Sequence, residues 1–147
     1  MSEIVCSPLI GKVISITKVN DEMFAKKMLG DGIAIIPEGK EIYSPISGIV
    51  TMVYETKHAI GLKTESGENI LIHIGIDTVD LKGKPFKTKV KVGDQVKQGD
   101  ILTTVDWKYI RRRGKDTVVP IVVMEKEINI VREEGNIKVG DPIFEII

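Results

Sequence analysis

Apolar positions along this chain come in short runs, alternating or continuous, and turn-forming Gly, Pro, Asp or Asn bounds them. Val13–Ile16, Ile33–Ile36, Gly48–Tyr54, Ile60–Leu62, Ile70–Ile76, Ile101–Val105, Val118–Met124 and Ile143–Ile147 are rich in β-branched residues and predict strands. Helical spacing is confined to Asn20–Leu29. There Asn20 or Asp21 can cap, Met23, Phe24, Lys27 and Met28 form a stripe, and Gly30 stops the run. Many short strands spaced by turns predict an all-β fold, an antiparallel sandwich or barrel with one or two short helices.

The pattern also repeats weakly. Ser7-Pro8-Leu9-Ile10-Gly11-Lys12-Val13 is echoed by Ser44-Pro45-Ile46-Ser47-Gly48-Ile49-Val50, and Lys91-Val92-Gly93-Asp94 by Lys138-Val139-Gly140-Asp141. Proline fixes φ at a strand start and Gly-Asp pairs make tight turns, so two related halves packed face to face are expected. No linker or low-complexity segment divides them, and residues 1–147 are expected to form a single domain.

The two histidines of the chain fall on adjacent predicted strands, His58–Thr64 and Ile70–Ile76, joined by Glu65-Ser66-Gly67-Glu68-Asn69. If Ser66-Gly67 is the centre of a two-residue hairpin turn, His58 stands opposite Gly75 and His73 opposite Ile60. Period-2 alternation then puts both imidazoles on one face as diagonal neighbours, ~7–8 Å apart at the backbone. Ile70, Ile72, Ile74 and Ile76 take the core face. Leu71, His73, Gly75 and Asp77 share the other with His58, Ile60 and Leu62. A one-residue slip would separate the rings.

Composition narrows the chemistry by exclusion. Lys plus Arg and Asp plus Glu both number 21, so the net charge is zero, without the basic excess of a nucleic-acid binder. The densest basic run, Lys108–Lys115, is expected to be a solvated loop ending at Gly114. No apolar run reaches the ~20 residues of a membrane span, and the N-terminus lacks a charged n-region and an apolar h-region. A cytoplasmic protein is expected. The single cysteine, Cys6, has no disulfide or metal partner and should be a small buried side chain. A zinc hydrolase needs at least three protein ligands, and there are two histidines with no His-x-His. No Gly-x-Ser-x-Gly suggests a serine nucleophile. A phosphoryl carrier needs less: a nucleophilic nitrogen, a donor for the phosphate oxygens and a surface for a partner.

Leu71-Ile72-His73-Ile74-Gly75-Ile76-Asp77-Thr78-Val79 resembles the phosphorylation-site segment of the glucose-type IIA components of the bacterial phosphoenolpyruvate-dependent sugar phosphotransferase system. Leu81-Lys82-Gly83 with Phe86 continues it, and Glu55-Thr56-Lys57-His58-Ala59 resembles the segment with the family's second histidine. Gly30–Ile35 and Val92–Asp100 also match, and the resemblance runs from about Ile4 to the C-terminus.

It implies a duplicated hybrid motif and no cofactor. It implies that His73 takes a phosphoryl group on Nε2 from the phosphocarrier HPr and gives it to a cysteine of the cognate IIB domain. His58 would donate a hydrogen bond to the phosphate and Thr56 would set the tautomer of His58. Asp21 and Asp77 would meet a basic side chain of HPr, and Phe24, Leu29, Tyr54, Ile60, Leu71 and Val79 would form an apolar docking ring. Some relatives also bind regulatory targets, and their paired histidines can share an intermolecular zinc, a role that would fall here to His58 and His73. The chain departs from the family at Ile60 and Leu71, where aromatic residues are usual, and it lacks the acceptor cysteine motif of a IIB domain. The sugar is not legible, since sugar binding belongs to the membrane component.

The rival reading is a lipoyl or biotinyl carrier domain, because Glu55–Ala59 also resembles a lipoyl-lysine hairpin. Such carriers are near half this length and place the lysine at a turn tip, whereas Lys57 is expected inside or just before a strand. A sandwich metallopeptidase is a second rival, which lacks ligands.

Overall fold

The computed structural model describes residues 3–147. In chain order the first strands are β1 (Glu3–Cys6), β2 (Gly11–Ser15), β3 (Asp31–Pro37), β4 (Glu41–Tyr43), β5 (Gly48–Val53), β6 (Ala59–Thr64) and β7 (Asn69–His73). There follow β8 (Phe86–Thr88), β9 (Gln95–Val96), β10 (Ile101–Val105), β11 (Val119–Val123), β12 (Ile128–Ile130), β13 (Gly135–Ile137) and β14 (Pro142–Ile146). One large antiparallel sheet has the order β13-β2-β3-β11-β7-β6-β5-β9, and two three-stranded sheets, β1-β14-β12 and β4-β10-β8, complete the architecture. The fold is all-β, as the turn-bounded apolar runs predict. No helix among the described residues is long and apolar enough to cross a membrane.

The inner face of the large sheet carries Val13, Ile33, Ile35, Ile60, Leu62, Ile70, Ile72 and Ile121, which pack with Leu102, Val105, Ile143 and Phe144 of the smaller sheets. All are essentially excluded from solvent, at about 1.5–3 kcal/mol for each large aliphatic or aromatic side chain. A second, smaller cluster lies on the other face of the sheet. Ala34, Ala59, Leu71 and Val122 meet Ile16, Val19 and Phe24 there. The two histidines stand beside this second cluster.

The two halves of the repeat are visible in hydrogen bonds. The Ser7 hydroxyl donates to Leu9 O at 2.7 Å, and that of Ser44 to Ile46 O at 2.6 Å. Cys6 N donates to Pro45 O (3.0 Å) while Tyr43 N donates to Pro8 O (2.7 Å), so the halves exchange equivalent bonds. Ser7 N donates to Asp141 O and Ser44 N to Asp100 O. The counterpart of the Lys138–Asp141 turn is therefore Lys97-Gln98-Gly99-Asp100, and not Lys91–Asp94 as the spelling of the sequence predicts. All three turns close alike: the aspartate carboxylate accepts from the N–H of the lysine three residues earlier.

The helical segments depart from expectation at both ends of the chain. Asp21 caps α1 (Glu22–Ala25) by accepting from Met23 N at 2.8 Å. Lys27 at φ 58° then ends the helix well before Gly30, with Met28 N bonded to Met23 O and Lys27 N to Phe24 O, a Schellman closure. The basic run expected as a loop holds a second helix, α2 (Trp107–Arg112). Asp106 caps it through Tyr109 N, and Trp107 and Ile110 are buried on its inner side. Cys6 is buried in β1, and burial, followed by the Asp141 carboxylate, pushes its thiol pKa up.

Candidate functional site

The β6–β7 register decides where the histidines go, and it differs from the expected one. The loop is not a two-residue turn. Thr64 N donates to Glu68 O, and the three residues between include Gly67 at φ 95°, the glycine-bulged hairpin form. His73 therefore stands opposite Ala59, and Ile60 opposite Ile72. Ile60 and Leu62 turn to the main core with Ile70, Ile72 and Ile74. Ile60 is 0 % exposed, which removes it from any docking ring. The slip does not separate the rings, because His58 is not on the strand. Lys57 at φ 62° bends the chain just before β6, and His58 leaves the alternation there.

The imidazoles meet with ring centroids 4.9 Å apart at 76°. Phe24 stands against His73 (5.1 Å) and Tyr54 against His58 (5.0 Å), so four aromatic rings run edge to face in a row. His58 is 4 % exposed; His73 is partly open. The Thr56 hydroxyl lies 2.6 Å from His58 Nδ1, so the structure brings Thr56 to the ring nitrogen that the resemblance implies.

Strand β7 stops at His73, short of the expected Ile76, because Gly75 (φ 78°) and Asp77 (φ 59°) both take left-handed backbone. Ile76 turns into the smaller cluster instead of the core. This bend returns the Gly75 carbonyl to the ring, 2.6 Å from His73 Nδ1. A carbonyl only accepts, so Nδ1 carries the proton and Nε2 holds the free lone pair. The bend is held tightly. Fully buried Thr78 donates to Ile74 O at 2.6 Å, and Gly75 N donates to Val118 O at 3.0 Å. Neither Gly75 nor Thr78 was marked for this job by the sequence pattern. A glycine two residues past a strand histidine is the signal that could have found it.

Burial pushes the His58 pKa down to about 4, and the neighbouring His73 adds to the effect. Burial also lowers that of His73, against the raising influences of the Gly75 carbonyl, Asp21 and Asp77. Both rings are therefore neutral near pH 7. In the unfolded chain a histidine binds its proton near pH ~6.5, so between that pH and about 4 the unfolded state holds more protons than the folded one at His58. Stability is full above the unfolded value and falls with pH across this window. Urea midpoints measured at about pH 7 and about pH 5 should show the loss, and His58→Gln should flatten it. An unchanged pH slope in the variant would contradict the buried-neutral reading.

Of the other residues singled out, Tyr54 (45 %) and Val79 (47 %) are exposed, while Phe24 (2 %) and Leu71 (8 %) are buried and Leu29 is partly covered. Met23 and Met28, which directly precede Phe24 and Leu29, are exposed beside them. Asp21 and Asp77 make no ion pair among the described residues. No group of three His, Cys, Asp or Glu side chains is placed to hold a metal among those residues. Lys57 lies in the turn between β5 and β6, so its position alone does not separate the lipoyl rival.

The fold and the neutral imidazole pair fit a carrier component of the sugar phosphotransferase system. Residues 3–129, both histidines included, match the family described as phosphoenolpyruvate-dependent sugar phosphotransferase system, EIIA 1, and the chain belongs to this family. Its structure is similar to that of the glucose permease IIA from Mycoplasma capricolum, with 38 % identity and a TM-score of 0.93, over 99 % of this chain and 96 % of that one. The lipoyl-carrier and metallopeptidase readings are set aside by these matches.

Proposed function

We propose that His73 is the phosphoryl acceptor of this EIIA domain, taking the group from phospho-HPr and passing it to a cysteine of the cognate IIB domain. The observation that carries the reading is the bond from His73 Nδ1 to Gly75 O, which leaves Nε2 as the nucleophile. In the first transfer the Nε2 lone pair forms the new N–P bond as the bond from phosphorus to the donor histidine breaks, its electrons returning to that ring. Nδ1 keeps its proton, and the positive charge that grows on the His73 ring is met by the Gly75 carbonyl, Asp21 and Asp77. In the second transfer a cysteine thiolate forms the S–P bond while the N–P bond breaks, and His73 leaves as neutral imidazole.

His58, with its ring centroid 4.9 Å from that of His73, would be the donor to the phosphoryl oxygens. For His58 to donate to the phosphate from Nε2, the Thr56 hydroxyl, 2.6 Å from Nδ1, acts as the donor in that bond and Nδ1 as the acceptor. Unpaired Asp21 and Asp77 suit a basic side chain of HPr, and exposed Met23, Met28, Tyr54 and Val79 supply apolar contact for both partners. The transfers would take place in the cytoplasm.

Incubation with phosphoenolpyruvate, enzyme I and HPr should add one acid-labile, base-stable phosphoryl group, which peptide mass mapping places on His73. A label on another residue, or none, overturns the assignment.

A further inference from the structure

Away from the histidines, a groove of about 490 Å³ opens between the β3–β4 turn, β8, β10 and one side of α2. Its lining is strongly one-signed. Lys40, Lys84, Lys87, Lys108 and Arg111 face it, against Glu38 and Asp106. None of the five cations is in an ion pair among the described residues, and the Asp106 carboxylate is already engaged in capping α2. Two other grooves in the molecule show no such excess. One sets Lys12, Lys18 and Lys27 against Asp31, Glu133 and Glu134, with Lys27 paired to Asp31. The other sets Lys63 and Lys97 against Glu65 and Asp100. In a chain of zero net charge, five unpaired cations around one concavity are a local concentration that composition does not produce by itself.

We propose that this groove binds a small, soluble, multiply charged phosphate-bearing anion. Its volume lies within the ~300–1,000 Å³ usual for small-molecule sites. Five cations spread over a loop, a strand and a helix can surround a phosphate from several sides, and Arg111 can take two oxygens at once. The wall is firm: Trp107 is 7 % exposed, with its indole N–H donating to Gly39 O at 2.7 Å. None of its lining residues is among those that surround the imidazole pair.

Trp107 is the single tryptophan of the chain, so its fluorescence reports on this groove. The intact protein is titrated at ~0.15 M KCl, where diffuse surface attraction is screened, with inorganic phosphate, pyrophosphate, a hexose 6-phosphate and anionic phospholipid vesicles in separate arms. Pyrophosphate or the hexose phosphate should give a saturable response below about 10 mM, weakened about tenfold or more by Lys87→Gln with Arg111→Gln. Lys12→Gln with Lys63→Gln, in the balanced grooves, should leave it unchanged. No saturable response to any soluble phosphate, binding to vesicles alone, or equal affinity in the Lys87 and Arg111 double variant would overturn the proposal.

Discussion

Replacing His73 with glutamine should abolish phosphoryl acceptance, whereas replacing His58 with glutamine should leave acceptance and damage the onward step. Glutamine approximates the reach of imidazole but its amide nitrogen has no available lone pair, so His73→Gln removes the nucleophile while changing little else in a partly open position. The two transfers differ in what approaches the phosphorus. On the proposed roles, the attacking atom in the first is the neutral His73 Nε2, and His58 has little charge to offset. In the second an anionic thiolate meets a phosphoryl group that is itself negative. A donor from His58 then relieves repulsion at the moment of transfer, and its loss should slow thiol phosphorylation by about 10²–10³-fold. Single-turnover transfer from phospho-HPr and then to an isolated IIB domain separates the steps. Equal loss in both steps for His58→Gln, or any labelling of His73→Gln at the wild-type rate, would refute these roles.

What made this site legible was residue chemistry more than geometry. Two histidines near a glycine-flanked strand could be found by reading, and the core face of β7 followed from Ile70, Ile72 and Ile74 alone. The pairing was less legible, since it depends on two backbone torsions that no periodicity encodes. Gly67 lengthens the hairpin loop by one residue and shifts the register, and Lys57 takes left-handed backbone where a lysine gives no warning. The two effects act on the same contact. The shift alone would have turned His58 inward with Ile60 and Leu62, but the bend at Lys57 returns it to His73. Helix α2 was hidden for a related reason: its six residues bury only Trp107 and Ile110, with Tyr109 partly covered, too few for a helical stripe beside so many cations. Its cap, Asp106, was a readable signal. The repeat was half legible, because Gln98 replaces the valine that would have shown Lys97–Asp100 to be the true counterpart of Lys138–Asp141.

The second large effect is expected at Gly75, where one methyl group tests whether a carbonyl holds the nucleophile in place. At φ 78° an alanine is strained by about 1–2 kcal/mol before any contact is counted. Its Cβ would also stand 2.5 Å from Thr78 Cγ2 and 2.8 Å from Asp116 O, and something must move. The bend that aims the Gly75 carbonyl at His73 Nδ1 is the part least able to stay put. Gly75→Ala should therefore lower the rate of phosphoryl acceptance by about 10²-fold, as a small displacement of a reacting group does, while HPr binding persists. Lost stability alone would also lower activity, so a second change is informative. Thr78→Ser removes the offending methyl but keeps the hydroxyl that donates to Ile74 O. The double variant should recover part of the lost rate, with a coupling between the sites that additive damage does not give. Folded Gly75→Ala protein accepting phosphate at the wild-type rate would show that the carbonyl is dispensable. A double variant no faster than Gly75→Ala would instead place the strain in what the serine leaves unrelieved, the φ of 78° itself and the contact with Asp116 O.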